Sequence, residues 1–177
     1  MIIVICGPAG SGKSTISKII AKKLGYKHYS MGDMRRMLAS KRGMSLGEFN
    51  KFGETDPITD TEVDEFQKKM GEAEDNFVVD GRTSFHFIPH AIKIYLDADL
   101  KVRAQRELKL HKMVEKYRNL DDAIRGIEER DISDVKRYKK YYNLDVADKK
   151  HYDLIIDTTE ITVEETVKRI MDFINNY

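Results

Sequence analysis

The 177-residue chain has a single cysteine, Cys6, so no disulfide can form within it and a reducing compartment is its natural setting. It also lacks any apolar run near the ~20 residues that a membrane-spanning helix needs. Its opening apolar stretch ends at Cys6 and passes directly into a glycine-rich loop, which is too short for a secretion signal. An excess of either charge is missing too. With 31 basic and 30 acidic side chains the net charge is +1, which gives no general attraction to nucleic acid or to an acidic membrane. Any basic function must therefore be local. No internal repeat or low-complexity stretch interrupts the chain. The expectation is a cytoplasmic monomer with no nucleic-acid or membrane partner.

What is present reads as one globular domain: 41% hydrophobic and 34% charged residues, in a chain long enough to bury a full core. Continuous apolar runs at Ile2–Cys6, Phe77–Asp80, Ile92–Leu96 and Leu154–Ile156 read as buried parallel strands, with Lys27–Ser30 as a further short one. Between them, Ile16, Ile19, Ile20 and Leu24 share one helical face. Val163, Val167, Ile170, Met171 and Ile174 do the same near the end of the chain, behind a capping box expected from Thr162 and Glu165. Strands alternating with helices predict a doubly wound α/β fold on a parallel sheet. Two segments fall outside the alternation. Gly32–Asp75 is helical and polar, and the basic Lys109–Asn119 leads into a long charged helix. Both are expected to project over the active edge of the sheet.

Gly7-Pro8-Ala9-Gly10-Ser11-Gly12-Lys13-Ser14 matches G-x-x-x-x-G-K-[ST] in full, after a strand and before a helix. Its glycines let the backbone amides turn inward on phosphate oxygens, and the helix that follows adds the positive end of its dipole. Lys13 is suited to the β- and γ-phosphates of a nucleotide and the Ser14 hydroxyl to Mg²⁺. The strand Phe77–Asp80 ends in an acid, then Gly81 and Arg82. Because the strand ends of a doubly wound sheet open on one crevice, Asp80 belongs near Ser14, as a second Mg²⁺ ligand.

Arginines form the next signal: Arg36, Arg82, the pair Arg103 and Arg106, and a helix face carrying Arg130, Asp134 and Arg137 at i, i+4 and i+7. Transfer between two phosphates gathers many negative oxygens, which guanidinium groups bind bidentately and stabilise as charge develops. A GTPase needs one such arginine, whereas a phosphate-to-phosphate kinase needs several.

These pieces together resemble the nucleoside monophosphate kinases, and most closely the short cytidylate kinases of archaeal type. The resemblance runs in order through GPAGSGKS, SMGDMRR, GMSLGEFNKF, VVDGR, IKIYLDADLKVRAQR, ERDISDVKRYKKYY and YDLIIDTT. It implies a sheet of order 2-3-1-4-5, with a core at 1–30, 76–108 and 145–177. A monophosphate-binding arm would lie at about 31–75, a lid at about 109–119 and a lid-flanking helix at about 120–144. It also implies that the loop from Gly7 to Ser14, with Thr15, holds ATP, with Mg²⁺ at Ser14 and Asp80. Arg36 and Arg82 would bind the acceptor phosphate. Arg103 would lie near the ATP base and Arg106 near the transferring phosphate. Arg130 and Arg137 would close over the reacting groups, while Asp134 would meet the nucleoside or orient the arginines. The chain lacks the long insert that bacterial cytidylate kinases carry in this arm, and Asp64-Glu65-Phe66-Gln67 holds no arginine.

The expected reaction is transfer of the γ-phosphoryl group of ATP to CMP or dCMP. AMP, UMP and dephospho-coenzyme A remain as other acceptors, and an ATP-binding regulatory module without transfer as another class. Cytosine presents an exocyclic amine where uracil presents a carbonyl, so a carboxylate would select between them. Asp60, Asp64 and Asp134 are the candidates.

Overall fold

The computed structural model describes residues 1–109 and 117–177. Five strands build one parallel sheet: β1 (Ile2–Cys6), β2 (Lys27–Ser30), β3 (Phe77–Asp80), β4 (Ile92–Asp97) and β5 (Leu154–Asp157). Their order is β2-β3-β1-β4-β5, as expected. The register lines up the functional ends, since Asp80 pairs with Ser30 on one side and with Ile5 on the other.

Successive residues of β1 point to opposite faces of the sheet, and each face carries its own core. On one side Ile3, Ile5, Val78, Ile94 and Leu96 pack against Ile16 and Ile20 of α1 (Lys13–Leu24) and Val167 and Ile170 of α8 (Val163–Asn175). On the other side Val4, Cys6, Phe77, Val79 and Tyr95 meet α2 (Met31–Lys41), α3 (Leu46–Gly53), α4 (Ile58–Ala73) and α5 (Ser84–Phe87) through Leu38, Phe49, Met70 and Phe85. Each fully buried aliphatic side chain is worth about 1.5–3 kcal/mol over an exposed one, so both apolar layers hold the strand ends in place.

A smaller cluster, Ala104, Ala123 and Ile127, joins α6 (Leu100–Lys109) to α7 (Leu120–Tyr142). Most of the segment expected as a lid, 110–116, lies outside the described residues. The polar segment after β2 is helical throughout its three helices, and α3 and α4 also contact one another.

The capping of α8 differs from the expectation. Thr162 Oγ1 accepts from the Glu165 amide at 3.1 Å, but the Glu165 carboxylate turns to Arg169 Nε at 2.8 Å. The residue one turn further along competes for the same charge. A reciprocal capping box forms instead at Ser45 and Glu48, where α3 begins.

Candidate active site

The loop from Gly7 to Gly12 joins β1 to α1 and must turn within a few residues. At Gly10 the backbone is left-handed (φ 78°), and a Cβ there would lie 2.6 Å from the Arg103 carbonyl oxygen. Only glycine combines that torsion with so close an approach. Lys13 folds back over the loop, donating to the Pro8 carbonyl at 2.6 Å. Burial, and then the positive charge of Arg82, lower its pKa to about 7.

Asp80 is buried and shared by three side chains. Its Oδ2 accepts from Ser14 Oγ at 2.8 Å and Ser30 Oγ at 3.0 Å, and its Oδ1 lies 2.7 Å from His28 Nε2. Ser14 and Asp80 thus bring two hard oxygen donors together beside the phosphate loop. That matches the way Mg²⁺ is held, by one or two protein oxygens with substrate phosphates completing its sphere. Among the described residues no cluster of three or more His, Cys, Asp or Glu side chains could hold a metal by itself.

A chain of alternating charges runs from the loop into the helical arm. Arg103 Nη1 donates to the Ala9 carbonyl at 3.3 Å and to Asp131 at 2.8 Å. Asp131 also accepts from Arg82 at 3.1 Å, and Arg82 pairs in turn with Asp134. Asp134 pairs with Arg137, and Arg137 with Asp60. Asp60 receives Arg35 at 2.9 Å, and Arg35 reaches Asn50 at 2.8 Å and the Thr59 carbonyl at 2.9 Å. Burial opposes charge at every step, but the pairing outweighs it where carboxylates flank a guanidinium. Arg82 and Arg137 are held above the usual arginine range, and Asp134 is held below the usual carboxylate range by Arg82 and Arg137. Removing one partner from such a buried chain leaves a charge unpaired, which costs several kcal/mol.

A cavity of about 480 Å³ lies against this chain, a size typical of small-ligand sites. Its wall takes in the phosphate loop from Ala9 onward, Thr15, Lys18, Arg106, Thr158 and Val163 at one end. Met31, Arg36, Asn50, Asp60, Asp64 and Tyr138 lie at the other, with Asp80, Arg82, Arg130 and Asp134 also in the wall. Arg82 Nη2 is buried there with no hydrogen-bond partner among the described residues. A buried guanidinium N–H facing a cavity is a donor suited to an anionic oxygen.

The sequence-selected residues divide accordingly. Gly10, Gly12, Lys13, Ser14, Thr15, Arg36, Asp80, Arg82 and Arg130 come together at the cavity. Arg137 stands behind the wall, fully buried between Asp134 and Asp60, so it braces the site instead of reaching into it. Arg103 is likewise spent on Ala9 and Asp131, while Arg106 is anchored on Thr158, with bonds of 2.9 Å to its hydroxyl and 2.5 Å to its carbonyl. Arg106 lies in the cavity wall beside Thr158, whose hydroxyl also donates to the Ser11 carbonyl of the phosphate loop at 3.2 Å, whereas Arg103 stands behind the wall. Arg36 pairs with Asp33 beside the cavity.

Sequence reasoning passed over Arg35, Asp131, Tyr138 and Tyr142. The signal for the tyrosines was available, because residues 134, 138 and 142 share a helix face at i, i+4 and i+8. Arg35, next to Arg36, projects to a different face of α2, into the arm's interior.

A phosphate loop, an acid at the neighbouring strand end and a ring of arginines around one cavity define a P-loop kinase that moves a phosphoryl group between small molecules. Comparison with known proteins narrows the class. The family described as "Cytidylate kinase-like family" matches residues 2–160. The cytidylate kinase of Archaeoglobus fulgidus is 38% identical over 172 residues, covering 97% of this chain and 93% of that protein. That of Pyrococcus abyssi is 39% identical over 165 residues, covering 93% and 88%. The chain belongs to the cytidylate kinase-like family. Among solved structures, shikimate kinase from Bacteroides thetaiotaomicron superposes with a TM-score of 0.66 at 16% identity, covering 99% of this chain and 98% of that one. Shikimate kinase from Acinetobacter baumannii gives 0.64 at 14%, covering 99% and 93%. At such identities the likeness concerns the fold alone.

Proposed function

We propose that the protein transfers the γ-phosphoryl group of ATP to CMP or dCMP, giving the diphosphate and ADP. The observation that carries this reading is the single cavity that runs from the phosphate loop to the acidic helical arm, with Arg82 between the two ends. A phosphate oxygen of the acceptor forms a bond to the γ-phosphorus as the bond to the bridging oxygen of ADP breaks. Positioning and charge stabilisation supply most of the rate in such a transfer.

In this reading the loop amides and Lys13 hold the ATP phosphates, Arg106 lies near the transferring phosphate, and Arg36 and Arg82 hold the acceptor phosphate. Arg130 faces the transferring group. Arg103 and Arg137 act through neighbours, fixing the loop and Asp134. Ser14 and Asp80 would hold Mg²⁺, which neutralises polyphosphate charge when bound. Helices α2 to α4 form the monophosphate arm, 109–119 the lid and 120–144 its flanking helix. In the same reading the enzyme works as a monomer in the reducing cytoplasm, where its one cysteine, the buried Cys6, stays a free thiol.

Base choice is assigned to Asp64. All three aspartates line the cavity, but Asp60 and Asp134 are each consumed by two arginines, whereas Asp64 accepts from the neutral donors Tyr142 and Gln67. Such a carboxylate keeps lone pairs for an exocyclic amine and repels a carbonyl. The test incubates ATP and Mg²⁺ separately with CMP, dCMP, UMP, AMP and dephospho-coenzyme A, and identifies products by mass. CDP and dCDP are the expected main products. Turnover of dephospho-coenzyme A alone, or none at all, would refute the reading.

A further inference from the structure

Tyr142 is the last residue of α7, and its position is fixed by the way that helix ends. Asn143 turns left-handed (φ 52°), and Leu144 returns its amide to the Tyr138 carbonyl at 3.1 Å. The ring packs edge-on to Phe87, with centroids 5.4 Å apart, and is half-buried. Tyr142 is not part of the cavity wall, yet its hydroxyl donates to Asp64 Oδ2. The other carboxylate oxygen of Asp64 accepts from Gln67 Nε2 at 3.4 Å, and Gln67 Oε1 is held by Ser84 Oγ at 2.5 Å. Asp64 is therefore oriented from two sides by neutral donors that do not touch the cavity's contents.

We propose that Tyr142 is a positioning residue for acceptor choice: its hydroxyl turns the ionised Asp64 toward the acceptor base and so favours a base bearing an exocyclic amine over one bearing a carbonyl. The assignment rests on the CMP kinase reading above. It places the discrimination on a contact between Tyr142 of α7 and Asp64 of α4.

The electrostatics agree with the geometry. Burial raises the Asp64 pKa to about 7, and the Tyr142 hydrogen bond opposes that rise by stabilising the carboxylate. The other charged groups facing Asp64 are Asp60 on its own helix, which raises it further, and Arg35 on α2 and Lys68 on α4, which lower it. Behind Tyr142 lies His86 of α5, its ring centroid 6.0 Å away. Loss of the tyrosine hydroxyl would therefore move Asp64 protonation to higher pH. A protonated Asp64 presents a donor where the cytosine amine needs an acceptor.

The experiment compares Tyr142→Phe with the parent enzyme, using CMP and UMP at saturating ATP from pH 6 to 8.5. The KM for CMP should rise about tenfold or more, the size of one hydrogen bond to a charged group, with kcat within about threefold. The KM for UMP should hold or fall, since a protonated Asp64 no longer repels its carbonyl, so the preference for CMP narrows. The pH below which the CMP KM climbs should shift upward. Site-specific 3-fluorotyrosine at position 142, a stronger donor with an unchanged ring fold, should shift it downward, which keeps the proposal testable if the phenylalanine variant folds poorly. An unchanged CMP-to-UMP ratio in Tyr142→Phe, or an unmoved profile in both variants, would overturn the role of Tyr142 while leaving the kinase reading intact. A parent enzyme with no preference for CMP would remove both.

Discussion

Lys13 and Asp64 sit at opposite ends of the cavity, and burial pushes each toward its neutral form near pH 7. They answer to different partners. Lys13 touches no apolar core, and in the structure it donates to a loop carbonyl. Its loss should therefore leave folding intact while removing a contact to the transferring phosphates. Lys13→Ala is expected to lower kcat/KM by far more than tenfold, with an unchanged circular dichroism spectrum; retention of over a tenth of parental kcat/KM, under about 1.4 kcal/mol, would contradict its role.

Asp64 gives a pH signature. Its folded pKa lies above that of an ordinary aspartate because burial disfavours the charge, so the ionised acceptor of an amine is present above about pH 7 and lost below it. The CMP kcat/KM should fall on acidification through pH 7 more steeply than that of UMP, as initial rates across pH would register. At this scale the phosphate loop, Asp80 and Arg82 were legible in the sequence, because each sits in a local pattern with one chemical use. Arg35 was not, since its partners lie in other helices, and Tyr142, though on one helix face with Asp134, meets Asp64 on another helix that no spacing announces.

At the scale of elements, α3, α4 and α7 meet at Gly53. A Cβ there would press on Thr59 Oγ1 and come 3.0 Å from Arg137 Cδ, and the Gly53 carbonyl accepts from Tyr141 at 2.7 Å. Gly53→Ala forces these helices apart, an overpacking that costs about 1–3 kcal/mol. Because Arg137 braces Asp134 and Asp60, the damage should appear as a raised KM for the monophosphate with little change in KM for ATP. Equal effects on both substrates would argue that the arm and the donor end are one rigid unit. The strands and helices could be read from apolar period, while the strand order came from the family resemblance. How closely the three helices pack could not, because a glycine inside a helical segment looks the same whether it faces solvent or a neighbouring backbone.

For the whole molecule, the sheet acts as a platform on which two apolar layers fix the strand ends. The arginine and aspartate chain from Ala9 to Arg35 ties the phosphate loop to the acceptor arm through α7. Asp131, which joins Arg82 to Arg103, is the link nearest the loop. Asp131→Asn keeps the shape and an acceptor oxygen but removes the charge shared by Arg82 and Arg103, so both guanidinium groups are held less firmly. A fall of about 1–3 kcal/mol in unfolding free energy, measured by urea titration, together with lower kcat, is expected. Full stability and full activity would show that the chain is incidental.

The proposed CMP kinase reaction turns on acceptor choice. Internal competition tests it most directly: CMP, UMP and AMP are mixed at equal concentration with ATP labelled at the γ-phosphate, and the labelled diphosphates are separated at low conversion. Their ratio equals the ratio of kcat/KM values. CDP is expected to be the dominant labelled product, ahead of UDP and ADP. Labelled ADP in excess of CDP would contradict it.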